Sequence, residues 1–405
     1  MADKKNIRVL MLTTLAEVIG FGILIPIVPL MFVEPNSQFF ILPEMLSVEM
    51  GYVLLGLLVG SYPLMQFLAT PILGELSDMY GRRTVIQISI IGTVISTLIF
   101  AYALVTANLV ILFVSRLVNG LTGGLNSVVQ ASVADMSNEG NKSQNLGKIG
   151  ATFGAGFVIG PFLGGLLSSG NFAVLGLSTP FIFAAALSFA SLIFVSTELK
   201  ETSPMKDGKI NWLKPFTQIK KGLKMEGLRK LFTANFFYFS GFAFLTTFLS
   251  VILVERFSFT QLEIGNTFLL IGLVIMFTQL VLIPRLFPRF SEEYVMPITL
   301  MLTGLAVLIM GLQSNVVLFL FFASVFAMMN GITNISLETL VSRNAPQDSQ
   351  GLALGTNQSL RSLANAGPSM LSGVAAALFT SAAPIYMAGL IIFVTGLIYF
   401  ITEHL

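Results

Sequence analysis

The sequence predicts an all-α polytopic membrane protein: twelve transmembrane helices in two pseudo-symmetric six-helix halves. Three observations carry this reading. Of 405 residues, 55% are hydrophobic and only 10% charged, too apolar for a chain that must keep its surface in water. Apolar runs of about 20 residues, the length that crosses a bilayer core, recur twelve times. Nearly all the positive charge, 19 of 22 Lys and Arg, then falls on one side of the resulting serpentine.

The spans are predicted at 9–31, 51–73, 85–105, 109–134, 149–167, 177–195, 231–254, 264–283, 294–312, 316–341, 352–379 and 384–401. The runs are continuous, without the period-two alternation of a membrane barrel. The first span contains Glu17, is long for a signal-peptide core and precedes no small-residue cleavage site, so it reads as a span and not as a removable leader. The second and third flank the charged turn Gly74-Glu75-Leu76-Ser77-Asp78-Met79-Tyr80-Gly81-Arg82-Arg83. The fourth holds Arg116 and ends beside Asp135; the fifth is rich in Gly and Pro. After the sixth comes the single long polar stretch, 198–230. The seventh is rich in Phe, with Phe236, Phe237, Phe242 and Phe244 as candidates for an apolar wall. The eighth ends in a weaker charged turn, Pro284-Arg285-Leu286-Phe287-Pro288-Arg289. The ninth is apolar throughout, the tenth carries Glu338, the eleventh Arg361, and the twelfth closes the chain.

With the N-terminus inside, Lys and Arg gather on one face: Lys4, Lys5, Arg8; Arg82, Arg83; Lys142, Lys148; nine in 198–230; Arg285, Arg289; Arg343. The positive-inside rule then puts both termini in the cytoplasm of a multi-pass protein of the inner or plasma membrane. Only Arg256 lies on the opposite side. There is no cysteine, hence no disulfide, thiolate metal site or thiol redox chemistry. His404 reads as a tail residue. No Gly-rich loop ends in Gly-Lys-Ser/Thr, so no nucleotide is implied, and the basic stretches are loop ends and not a nucleic-acid face. No cofactor, metal or enzymatic activity is expected; the partners are a small-molecule substrate, protons and the bilayer, around a monomer.

Residues 198–230 divide the chain into 1–197 and 231–405. The lysines of this linker suit anionic headgroups. Trp212, Phe216, Ile219 and Leu223 recur near helical spacing, which fits either an interfacial helix or a solvated linker. The halves repeat weakly: Gln66 and Pro71 match Gln279 and Pro284, Asn119-Gly120 matches Asn330-Gly331, and Gly160-Pro161 matches Gly367-Pro368. Such repeats place a binding site near the bilayer midplane between the halves.

Glu17 stands about 13 Å above Arg8 by helix rise, beyond reach of the inner headgroups. Arg116 descends from the other face to within some 5–8 Å of the same depth, so the two can meet. A carboxylate alone in hydrocarbon takes up a proton readily and a nearby guanidinium opposes this. Glu17 is therefore the candidate proton carrier, with Arg116 its modulator; a permanent structural pair is the alternative. Gln66, Asn119, Asn126, Asn235, Gln279, Asn330, Gln358 and Asn365 are candidate cavity-lining groups. For Arg361 no acid at matching depth is expected in the second half. It must find carbonyls, an acid such as Glu17, or an anionic substrate. The stripe Gly156, Gly160, Gly164, with Gly165 and Pro161, lets helices touch backbone to backbone. Gly56, Gly60, Gly351 and Gly355 offer similar faces.

The charged turn after the second span, and the Gly-Pro pattern Gly156-Phe157-Val158-Ile159-Gly160-Pro161-Phe162-Leu163-Gly164-Gly165 in the fifth, resemble the Major Facilitator Superfamily. The second pattern is similar to that of its drug:proton antiporter branch, which includes tetracycline exporters. The resemblance implies that Gly74, Asp78, Gly81, Arg82, Arg83 and Asp135 form a cytoplasmic latch with the facing half; a topogenic turn with surface ion pairs is the plainer reading. It also matches an acid nine residues before a Pro in the first span (Glu17, Pro26) and an Arg four before a Gly in the fourth (Arg116, Gly120). The function it implies is proton-driven export of small amphipathic molecules. A facilitator or proton symporter of a sugar or carboxylate, and a non-transporting receptor or scaffold, are the alternatives.

Overall fold

A computed structural model of the chain describes residues 2–138, 141–169, 175–202, 217, 220–225, 227–345 and 350–404. Most of the linker residues named above, Trp212, Phe216 and Ile219 among them, lie outside the described residues. The predicted spans appear as twelve long helical segments: α1 (Ala2–Ile23), α2 (Val48–Tyr80), α3 (Arg82–Val105), α4 (Leu109–Asp135), α5 (Lys142–Ser168), α6 (Thr179–Glu198), α7 (Arg229–Phe257), α8 (Gln261–Leu286), α9 (Glu292–Leu312), α10 (Val316–Asn344), α11 (Gln350–Leu378) and α12 (Ala383–His404). In hydrocarbon, backbone polar groups must be satisfied within the segment, which is why the apolar runs are helical. Eleven are long and apolar enough to cross a membrane. The other, α11, is the polar helix of the set, carrying Asn357, Gln358, Arg361 and Asn365.

Several spans expected to be continuous are interrupted, each for a local reason. After Ile23, Pro26 and Pro29 convert α1 into turns before one more helical turn at Leu30–Val33, since proline cannot donate to the ladder. α4 breaks at Gly123-Gly124, between Leu109–Thr122 and Leu125–Asp135. α8 widens into a π turn at Thr278–Leu282 just before Pro284, whose ring excludes a regular bond to the preceding turn. At the far end of α7, Arg256 Nη1 donates to the carbonyls of Gly311 (2.6 Å) and Gln313 (2.9 Å). The one basic residue on the wrong side of the charge pattern thus caps the C-terminus of α9, where carbonyls lack helical partners.

The core is single at one end of the bundle and divided at the other. At the end formed by the start of α2 and the finish of α5 and α11, one apolar cluster joins both groups of helices. Phe32, Phe100 and Phe181 come from the first six, Phe244, Phe248 and Phe319 from the last six. At the opposite end, among the described residues, there are three separate clusters. One holds Leu10, Ile86, Val129 and Val195; a second holds Phe232, Met296, Leu337 and Ala364; a smaller third holds Ile283, Val295 and Ile332.

The helix pairs that cross between the groups, α2 with α11 and α5 with α8, follow the same division. Gly56 and Gly60 lie against the backbone of Ser369, Gly373 and Ala366, and Gly265 lies against Pro161 and Phe162. Farther along the same stripes, at Gly74 of α2, Gly147, Gly150 and Gly154 of α5 and Gly355 of α11, a Cβ would meet nothing within 4 Å. The bundle is a V, closed at the end where α2 begins and open where α2 ends.

This corrects one sequence expectation: the small residues through which α11 meets α2 are Gly373 and Ala366, with Gly355 left open.

Candidate functional site

Polar side chains converge in two places, one in each group of helices. In the first, α1 presents Glu17 to α3, where the Thr93 hydroxyl donates to Glu17 Oε1 at 3.2 Å. Asn119 of α4 donates to Ser96 Oγ at 2.7 Å, and Ser96 in turn donates to the Thr93 carbonyl at 3.0 Å. One turn before Asn119, Arg116 is 7% exposed. Its guanidinium lies 5.1 Å from the Tyr62 ring centroid and 5.9 Å from that of Phe100. Arg116 and Glu17 form no ion pair with each other, yet they are near enough for their charges to interact.

The second cluster lies among α7, α10 and α11. Three ties cross it: Asn235 Nδ2 donates to Asn357 Oδ1, the Tyr238 hydroxyl to Asn330 Oδ1 at 2.5 Å, and Arg361 Nη1 to Glu338 Oε1 at 2.6 Å. The Arg361 guanidinium stacks 4.1 Å from the Phe239 ring centroid. This corrects the expectation that Arg361 has no acid of its own. Helix rise alone put Glu338 nearer the surface, but two long side chains on adjacent helices close that difference.

Of the cavity candidates, several turn their polar groups into the bundle. Gln66 donates to the Gly123 carbonyl at 2.7 Å and to the Tyr62 hydroxyl at 3.2 Å, filling the carbonyl left open by the α4 break. Asn119 and Asn330 tie neighbouring helices as described. Asn126 keeps a buried Oδ1 without a partner. Gln279 stands in the widened turn of α8, and Gln358 and Asn365 are partly buried.

The charged turn sits at the open end. Gly81, at φ +91°, joins α2 to α3 directly, a conformation glycine adopts without penalty. Arg82 is 8% exposed, with Nη2 2.6 Å from Asp78, Nε 2.9 Å from Asp135, and Nη1 on Ser77 Oγ. Arg83 donates to the Ser196 carbonyl. Glu201, which no spacing in the sequence marks, caps α3 by accepting the backbone N–H groups of Arg82 (2.8 Å) and Arg83 (3.1 Å). In α5 the stripe packs on α1: Gly156 on Val18, Gly160 on Gly22 and Ile19, Gly164 on Ile23; Gly165 faces Gln261 of α8. At the closed end, the Tyr52 hydroxyl of α2 donates to Glu255 Oε1 of α7 at 2.5 Å.

Residues 10–368 match the family model described as Major Facilitator Superfamily. The chain is 31% identical over 358 residues to the tetracycline resistance protein, class G, of Vibrio anguillarum, covering 87% of this chain and 86% of that one. Its fold is similar to the crystal structure of the human organic anion transporter MFSD10 (TETRAN), at TM-score 0.73 and 24% identity, over 98% of this chain and 99% of that one. It is equally similar to a D-xylose-proton symporter, at TM-score 0.73 and 16% identity, over 97% and 96%.

Proposed function

We propose that this chain, which belongs to the Major Facilitator Superfamily, exports small amphipathic compounds in exchange for protons by alternating access. That it is a multi-pass membrane transporter follows from its family; the proton, the direction and the substrate class are the proposal. The observation that carries it is the setting of Glu17: a carboxylate inside the span, held by one hydroxyl, next to a buried Arg116 with which it makes no ion pair. The proton affinity of a buried carboxylate follows the distance of its nearest cation. A shift of α4 against α1, within the first group of helices, that brings Arg116 to Glu17 or takes it away would therefore unload and load the carrier.

In this reading the charge asymmetry puts both termini in the cytoplasm, so that the open end of the V faces inward, the state in which an exporter loads. In this reading residues 198–230 link two rocking halves. Arg82, Asp78 and Asp135 form one side of a latch that engages the facing half when the inner end closes. Likeness over most of its length to a protein named for tetracycline resistance supports export.

The test is flux in proteoliposomes with imposed pH gradients of both signs, using anionic, neutral and cationic amphipathic probes in parallel. At least one of them should move opposite to the protons. Movement with the protons would instead support the second reading, symport, which the shared fold with a sugar-proton symporter favours; flux indifferent to pH would end both.

A further inference from the structure

An arginine inside a bundle brings five N–H donors that need acceptors. Arg361 places Nη1 on Glu338, and neither Nε nor Nη2 meets an acceptor among the described residues. One face of the guanidinium is covered by Phe239, while the pair is not sealed off: the Arg361 side chain is 23% exposed and that of Glu338 50%. Two amide oxygens on the neighbouring helices are also unmatched. Asn334 Oδ1, one turn along α10 from Glu338, is buried and unpartnered. So is Oδ1 of Asn235, one turn along α7 from Phe239, in a residue only 1% exposed. The other titratable group facing the pair is Tyr238 of α7, whose hydroxyl is committed to Asn330. The cluster therefore satisfies its ion pair and leaves guanidinium N–H donors of Arg361 unmatched, on a wall that Phe239 and Phe242 make apolar.

We infer that Arg361, backed by Phe239, recognises an anionic oxygen of the substrate, and that Glu338 is the internal competitor which that anion displaces. This rests on the reading of the chain as a carrier of small amphipathic compounds. It narrows the class to those with a carboxylate or similar oxyanion beside an apolar ring. A carboxylate matches the planar fork of a guanidinium with two parallel hydrogen bonds, where Lys offers a point charge. The Phe239 face holds the fork in one orientation and keeps water from one side. Glu338 supplies the counter-charge while the site is empty, since a lone guanidinium in a bundle is costly. A substrate anion need only out-compete a half-exposed carboxylate.

The experiment is equilibrium binding of three matched probes, 2-naphthoate, 2-naphthamide and 2-naphthylmethylammonium, to the full chain in nanodiscs at one pH. The wild type should prefer naphthoate. Glu338→Gln, which removes the competitor, should tighten naphthoate about tenfold and leave naphthamide unchanged. Arg361→Gln should bring naphthoate down to the amide, with Arg361→Lys between. The double variant Glu338→Gln/Arg361→Gln strands no charge, so it keeps the fold testable, and should bind naphthoate and naphthamide alike. Equal affinities in the wild type, no naphthoate binding at millimolar concentration, or weaker naphthoate binding in Glu338→Gln would each overturn the inference. Binding needs no gradient, so failure of proton exchange leaves this result standing, and the reverse also holds.

Discussion

Glu17 and Arg361 are the ionisable residues on which the proposed mechanism and substrate recognition turn, and their surroundings differ. Glu17 has a hydroxyl for company and a cation within electrostatic reach; Arg361 has a carboxylate in direct contact. The first arrangement suits a group that changes its charge, the second a group that keeps it. Glu17→Gln is isosteric and cannot titrate. It should preserve substrate exchange across proteoliposomes and abolish accumulation driven by a pH gradient. Accumulation that survives would move the coupled proton elsewhere. At the open end, Arg82 joins two carboxylates that would otherwise face each other. Arg82→Gln should lower stability by about 2 kcal/mol, read as earlier thermal unfolding. It should also shift the balance of open and closed states, read by labelling cysteines introduced into this cysteine-free chain.

At the scale of elements, breaks and stripes set the geometry. The α4 interruption exposes the Gly123 carbonyl and Gln66 of α2 fills it. Gln66→Leu should cost about 1–3 kcal/mol, the penalty of an unmatched buried acceptor. If Gln66 serves only this purpose, ligand affinity will not change; a selective loss of affinity at unchanged stability would return it to the cavity. Two faces of α5, one packed on α1 and one turned toward α8, permit a sharper contrast. A Cβ at Gly160 would sit 2.8 Å from the Gly22 Cα, so Gly160→Ala should destabilise by about 1–3 kcal/mol. Gly154 has open space in this conformation. Gly154→Leu should fold normally but resist closure of the inner end, holding the protein in the state described here. Cysteine accessibility at the inner end that still falls when outward-facing conditions are imposed would refute this.

For the whole molecule, the single core at one end and the separate cores at the other define a V whose closed end is held mainly by apolar packing. The Tyr52–Glu255 hydrogen bond crosses it. Because one partner is a carboxylate, Tyr52→Phe should remove about 1.5 kcal/mol from the closed end. That is roughly a tenfold shift toward opening there, measurable as faster labelling of cysteines placed near Val48. No change would mean that the apolar cluster alone sets the equilibrium.

The number of long helices, their order and the family were legible along the chain, because hydrocarbon thickness and charge asymmetry act on every span alike and leave a linear record. Glu17, the charged turn and the Gly-Pro stripe stood out because a charge or a glycine is conspicuous against an apolar background. The partners were not legible. Thr93 for Glu17, Glu338 for Arg361, Gln66 for Gly123, Glu201 for the start of α3 and Glu255 for Tyr52 are all set by how helices rotate and tilt against one another. The sequence carried a signal for one of them in the Gly123-Gly124 pair, which marks a break and hence a carbonyl in need of a donor. The open end of the V belongs wholly to the tertiary structure. The same glycine stripes line the packed and the splayed portions of α2, α5 and α11, and only the packing between the two groups of helices determines where each stripe is covered.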